Sequence, residues 1–340
     1  MKSLAVPVSL ALLLSVSGAA RAADETQPGP WQYSAILGLN LSQSAFSDNW
    51  AGGDEGSINW VVKADVTAER QFNPTLNWKN VLALAYGQTA KQTTGSTGEK
   101  NWDVPDKTTD LIQFESLARF TLHKWADPYL GFRLDSQFLD KSDPSGRELM
   151  FHPLRLKESG GVAHVFEKTE TTELISRIGF GFRQNIGRAF TDSTGLTDDS
   201  NGFSTTDGGF EFQTNATYPL AGGRIQYKGE ILVFWPLFFS AKSDLEEYDA
   251  LALAMDPTHE EVADFWKTPD INLQNGFDAK VTEWLSVNLY TQLIYDKFDA
   301  ATDVDPDLPF GVLDEAVQSA VRKSGQFKQT LALALSYRFL

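Results

Sequence analysis

The dominant signal along this chain is an alternation of apolar and polar residues with a period of two. Across residues 111–122, Ile112, Phe114, Ala118, Phe120 and Leu122 share one side of an extended chain, while Gln113, Glu115, Arg119 and Thr121 share the other. Leu130, Phe132, Leu134 and Phe138 then oppose Arg133, Asp135 and Gln137. Phe210, Phe212, Ala216 and Tyr218 oppose Glu211, Gln213, Asn215 and Thr217, and Ile225, Tyr227, Ile231 and Val233 oppose Arg224, Gln226, Lys228 and Glu230. Ile271, Leu273, Phe277, Ala279 and Val281 oppose Asn272, Gln274, Asp278 and Lys280. Extended in this way, the pattern predicts about twelve strands. They fall at 31–46, 57–72, 75–90, 109–122, 127–140, 150–166, 171–188, 205–219, 223–240, 270–282, 285–298 and 326–340, with 150–166 the least regular.

The connections between these strands alternate in length. Short ones fall at Asn73-Pro74, Lys124-Trp125-Ala126, Lys168-Thr169-Glu170, Leu220-Ala221-Gly222 and Glu283-Trp284. Long ones fall between them, at 47–56, 91–108, 141–149, 189–204, 241–269 and 299–325. This predicts an all-β fold: a single antiparallel up-and-down transmembrane β-barrel with short periplasmic turns, long external loops and both termini periplasmic. Two long loops carry apolar residues at helical spacing, at 244–266 and 311–322, and predict short helices over or inside the mouth.

Alternation by itself suits a soluble barrel equally well. Three features favour a membrane. The strands exceed the roughly 9 to 11 residues that cross a bilayer. Trp78, Trp125, Tyr129, Tyr218 and Trp284 lie beside the short turns, where an interfacial girdle would sit. The chain also stops inside a strand, with Phe339 next to last, which resembles the signal read by the barrel insertion machinery. No stretch after the N-terminus has about 18 consecutive apolar residues, so helical spans are excluded.

The N-terminus itself sharpens the compartment. Met1-Lys2, an apolar run from Leu4 to Val16 and a small-residue segment ending near Ala22 predict a signal peptide over 1–22 and a barrel domain over 23–340. The expected location is therefore the outer membrane of a Gram-negative bacterium. The chain contains no cysteine, which removes disulfides and thiol chemistry from consideration.

Charge is strongly acidic, with 29 basic against 45 acidic side chains and a net of −16. The long connections hold nearly all of the excess. The inward wall is close to balanced: its candidate lumen-lining charges are Glu115, Arg119, Arg133, Asp135, Arg177, Arg183, Glu211, Arg224, Lys228, Glu230, Asp278 and Lys280. Paired across strands they would fill the interior; left unpaired they would line a water-filled passage that selects solutes. The acidic loops predict contact with outer-membrane lipid and lipopolysaccharide, bridged by divalent cations, and no contact with nucleic acid.

The strongest local motif follows the first strand, where Asn49, Trp50, Ala51, Gly52 and Gly53 suit a tight turn anchored by an indole. This Asn-Trp-x-Gly-Gly step is followed along the chain by Trp78-Lys79-Asn80, Ala85-Tyr86-Gly87, Asp270-Ile271-Asn272 and Leu293-Ile294-Tyr295-Asp296. Together these segments resemble an uncharacterised family of exported bacterial proteins, a domain of unknown function. The resemblance implies a barrel-like fold over most of the chain and no activity.

Enzyme chemistry finds little support. An outer-membrane phospholipase would need a His two residues before Ser200-Asn201-Gly202, and Asp198 stands there. An omptin-type protease would need a paired His and Asp at the rim, whereas His123, His152, His164 and His259 are scattered. No catalytic, metal or cofactor residues are assigned. The expected function is a channel or uptake barrel for small solutes, with a non-conducting structural or partner-binding barrel as the alternative and an enzyme third.

Overall fold

The computed structural model describes residues 27–44, 55–95, 99–122, 125–143, 145–169, 171–190 and 195–338. The signal peptide, the Asn49–Gly53 motif, His123 and Phe339 lie outside the described residues.

The described strands, in chain order, are β1 (Gln32–Ser44), β2 (Ser57–Asn73), β3 (Leu76–Thr94), β4 (Lys100–Trp102), β5 (Asp106–Arg119), β6 (Asp127–Ser136), β7 (Leu139–Asp140) and β8 (Leu149–Met150). They continue with β9 (Leu154–Lys168), β10 (Glu173–Phe190), β11 (Ser200–Leu220), β12 (Ile225–Phe239), β13 (Asp270–Lys280), β14 (Leu285–Tyr295) and β15 (Gln326–Arg338). All but β4, β7 and β8 pair antiparallel with the next long strand, and β15 returns to β1, with Leu37 opposite Tyr337 and Leu41 opposite Leu333. The result is a closed barrel of 12 strands with no free sheet edge.

Register decides what this closed sheet shows to its surroundings. Leu39 stands opposite both Val62 and Leu335, and Leu333 opposite Val287, so apolar residues of neighbouring strands share the outer face. That face is exposed: Leu331 is 65% accessible, Ile178 59% and Trp235 58%. The alternate positions carry the buried groups of the strands, among them Arg177, Asp207, Glu211 and Gln213. A water-soluble domain of this size would do the opposite, because each exposed apolar Å² forgoes about 25 cal/mol of burial. Among the described residues no helix is long and apolar enough to cross a membrane.

Local chemistry explains the turns. Asn73 Oδ1 accepts from the Thr75 amide at 2.9 Å between β2 and β3, and Gly222 and Gly223 supply φ of +67° and +84° between β11 and β12. Gly161 and Gly179 face each other across β9 and β10, where a methyl on Gly179 would strike the Gly160 carbonyl.

Three expectations need correction. The segment 127–140 is not one strand: β6 ends at Ser136, and Leu139–Asp140 pairs with Leu149–Met150 as a side hairpin in the loop. Tyr129 is not part of an outer girdle. It stands opposite inward-facing Arg119, is buried to 2%, and lies under the Arg177 guanidinium at 5.6 Å. The irregular segment 150–166 becomes a full strand, 15 residues long at 154–168, because β6 and β10 pair with it on both sides.

The apolar core of the molecule sits above the barrel rather than in it. Helices α1 (Lys242–Met255) and α2 (Phe310–Ala320) form where helical spacing predicts them, and a 3-10 turn at Phe265–Lys267 follows α1 before β13. Leu245, Tyr248, Leu313 and Val317 are inaccessible, and Phe298, Val304 and Trp266 pack with them. Together they form a cap built from the connections 240–269 and 296–325.

Candidate functional site

A closed sheet places its inward side chains in one enclosed space, so strands that are not neighbours can touch only across it. Several ion pairs do this. Arg177 of β10 donates to Glu115 of β5 at 2.8 Å, Lys157 of β9 meets Glu211 of β11 at 2.5 Å, and Arg133 of β6 lies 3.8 Å from Glu230 of β12. Lower in the barrel, Lys79 reaches Glu173 at 3.2 Å and Lys168 reaches Glu69 at 2.6 Å. Twelve strands leave an interior between that of eight-stranded barrels, which side chains fill, and porins, which hold an aqueous channel. Long basic side chains span much of that width.

Of the residues singled out in the sequence, Glu115, Arg133, Asp135, Arg177, Arg183, Glu211 and Glu230 join this network. Arg119 lies 3.9 Å from Asp127 near the short turns, and Asp278, Lys228 and Lys280 occupy inward positions of β12 and β13. Arg224 falls outside β12: it closes the turn after β11 and is exposed at the rim. The network also contains Lys79, Lys157, Asp207 and Asp270, which carry the same alternation signal. Lys157 was hidden by the irregular reading of 150–166, and the partners of the others are fixed only by register.

Near the mouth, Arg183 binds both oxygens of Asp207 at 2.7 and 2.5 Å and Asp270 at 2.6 Å, with its guanidinium 3.8 Å above the Phe234 ring. The cap docks beside it. Asp299 accepts from Arg155 of β9 at 3.0 Å and from Arg322 at 2.8 Å, while Arg322 also reaches Asp296 at 2.7 Å. Asn185 and Thr205 donate to the Ala300 carbonyl. Burial would raise Asp299, but Arg155 and Arg322 outweigh it and hold the carboxyl down at about 2. Burial, reinforced by Asp299, pushes Asp296 above its ordinary value. Between cap and wall lies a cavity of about 200 Å³ lined by Arg133, Lys157, Arg183, Asp270, Phe298 and Asp299, among others.

The rest of the interior is different. From β14 through β15 and β1 to β3, above the level of Glu69 and Lys79, the inward positions hold Asn288, Thr330, Ala332, Ser34, Gly38, Ala83 and similar small or neutral residues. Among the described side chains, the charges there are Lys63, Asp65 and Lys328 and, nearest the mouth, Lys91.

The described histidines, His152, His164 and His259, are engaged structurally. His152 pairs with Asp140 at 2.7 Å, which resembles a catalytic dyad, but its Nε2 accepts the Arg188 amide at 2.9 Å. Nδ1 therefore carries the proton toward Asp140, and neither nitrogen is left to act as a base. His259 bonds to Asp249, which also accepts the Val262 and Ala263 amides, and His164 bonds to the Trp125 carbonyl. Ser200–Gly202 opens β11, paired with 188–190.

Fold and lumen together define a 12-stranded β-barrel of the membrane type, polar within and apolar without. Residues 41–141 match the profile of a family described as protein of unknown function (DUF3078), which spans the Trp78 and Ala85 segments but not the late Asp270 and Leu293 ones. No curated protein matches the chain by sequence. Among solved structures the chain is similar to an outer membrane channel from Pseudomonas putida F1, at 9% identity and a TM-score of 0.39, covering 95% of this chain and 98% of that one. It is also similar to the translocator domain of the autotransporter NalP from Neisseria meningitidis, at 9% identity and a TM-score of 0.34, covering 91% and 88%. A third is OprB of Pseudomonas putida, at 10% identity and a TM-score of 0.32, covering 90% and 94%.

Proposed function

We propose that this protein is an outer-membrane barrel that passes small solutes through a narrow lumen whose mouth is restricted by the cap. The membrane placement rests on the outer face, where leucine, phenylalanine and tryptophan side chains stand exposed around the barrel. The observation that carries the channel reading is the division of the lumen wall. Long paired charges crowd the half formed by β5 to β12, while mostly uncharged side chains line the half from β14 to β3, along which water and solute would pass.

A second reading is favoured by the cross-lumen pairs and the docked cap, which together suit a plugged barrel that binds a partner or lipopolysaccharide through its acidic loops. Planar-bilayer recording of the refolded full chain separates the two. Discrete conductance steps support the channel; a folded barrel that stays silent overturns it and favours the plug.

A further inference from the structure

The ion pairs leave a remainder, and the remainder has a sign. In the crowded half of the lumen almost every charge has an opposite partner within 4 Å. In the neutral half, Lys63 of β2 and Lys328 of β15 point inward with no such partner among the described residues. The charged groups acting on Lys63 are Asp65, two residues along the same strand face, and Lys328 itself. Among the described side chains of that wall, one carboxylate therefore stands against the ammonium groups of Lys63 and Lys328 and, nearer the mouth, of Lys91. Near the periplasmic end, Lys228 and Lys280 likewise outnumber Asp278 at inward positions.

We infer that the lumen prefers small anions, and that Lys63 and Lys328 set this preference. The inference rests on the channel reading above. A permeating ion in the neutral half meets the lysines at closest range, because the charges opposite are engaged with one another at contact distance. The acidic loops outside work against anion entry, but their charges are solvated and screened within about 8–10 Å at physiological salt. An ammonium is a compact, mobile charge on a flexible stem, suited to handing on an anion rather than trapping it.

The test is the reversal potential of the full-length barrel in a planar bilayer under a potassium chloride gradient. Chloride is expected to permeate better than potassium. A unit charge about 5 Å from an ion in water changes its occupancy about four-fold, and it acts in opposite senses on chloride and potassium, so Lys63→Gln and Lys328→Gln should each lower the chloride-to-potassium ratio by up to about sixteen-fold. Lys141→Glu, on an external loop, should change it far less. A heat-dependent shift of the gel band, between unheated and boiled samples, confirms that each variant is folded. A conducting barrel that prefers potassium, or whose ratio ignores both lysine substitutions, overturns the inference and leaves the channel reading standing. A folded barrel with no conductance overturns both.

Discussion

Arg183 offers the sharpest test of how this barrel carries charge in its interior. Its guanidinium bridges two carboxylates, and the Asp207 side chain it grips is only 2% accessible. Arg183→Leu keeps the apolar part of the side chain and its packing on Phe234, but leaves Asp207 and Asp270 facing each other without a counter-charge. Breaking a buried pair by removing one partner costs about 3–5 kcal/mol. Arg183 is 25% accessible and borders the cavity under the cap, which lets water compensate in part and places the expected loss near about 3 kcal/mol. Replacing all three residues with leucine removes the stranded carboxylates along with the cation, so the triple variant should recover most of that loss. The assay is urea unfolding of the lipid-reconstituted barrel, followed by the gel shift between folded and unfolded bands. A single variant losing less than about 1 kcal/mol, or a triple variant no better than the single one, would show that the cluster is hydrated and not structurally coupled.

The other predictions concern the cap and the outer face. Leu313→Ala opens a cavity among fully buried residues and should destabilise the cap by about 2–5 kcal/mol; limited proteolysis should then cut within 240–269 while the barrel gel shift is unchanged. Acidification should act on the cap in two opposite ways. Asp299, held at about 2, contributes stability that is complete above about pH 4 and is lost as pH falls through about 2, whereas Asp296, raised by burial, is relieved on protonation. Amide protection of peptides spanning 296–301, measured against the intrinsic exchange rate at each pH, should therefore persist at pH 4 and fall away near pH 2; protection already lost at pH 4 would contradict the assignment. Leu333→Arg puts a charge on the exposed apolar band and should cost about 2–4 kcal/mol in a bilayer. An unchanged midpoint there would argue against lipid contact at β15.

Much of this architecture was readable from the chain because alternation is a local property. Each side chain's face follows from its parity, so inward candidates such as Glu115, Arg177 and Glu211 could be named before any partner was known. Parity also has definite failure points. Arg224 has the right parity for β12, but it still belongs to the glycine turn before it, and the regular strand begins only at Ile225. Tyr129 sits beside a short turn like the girdle aromatics, yet its parity matches Arg119, and it turns inward. In 150–166 the outward positions include Glu158 and Gly160, so the apolar face was broken and the strand looked doubtful until its two neighbours supplied the pairing.

What the sequence determined by itself was the class of structure: long alternating strands, short turns at one end, long loops at the other, and two helical segments among those loops. What only the tertiary structure decided was who meets whom. That Arg177 finds Glu115, that Arg183 joins Asp207 to Asp270, and that Lys63 and Lys328 are left with one carboxylate between them all follow from strand register and barrel closure. The physical reason is that a strand's faces are set by the geometry of its own backbone, whereas its partners are set by cooperative pairing of segments far apart in the chain.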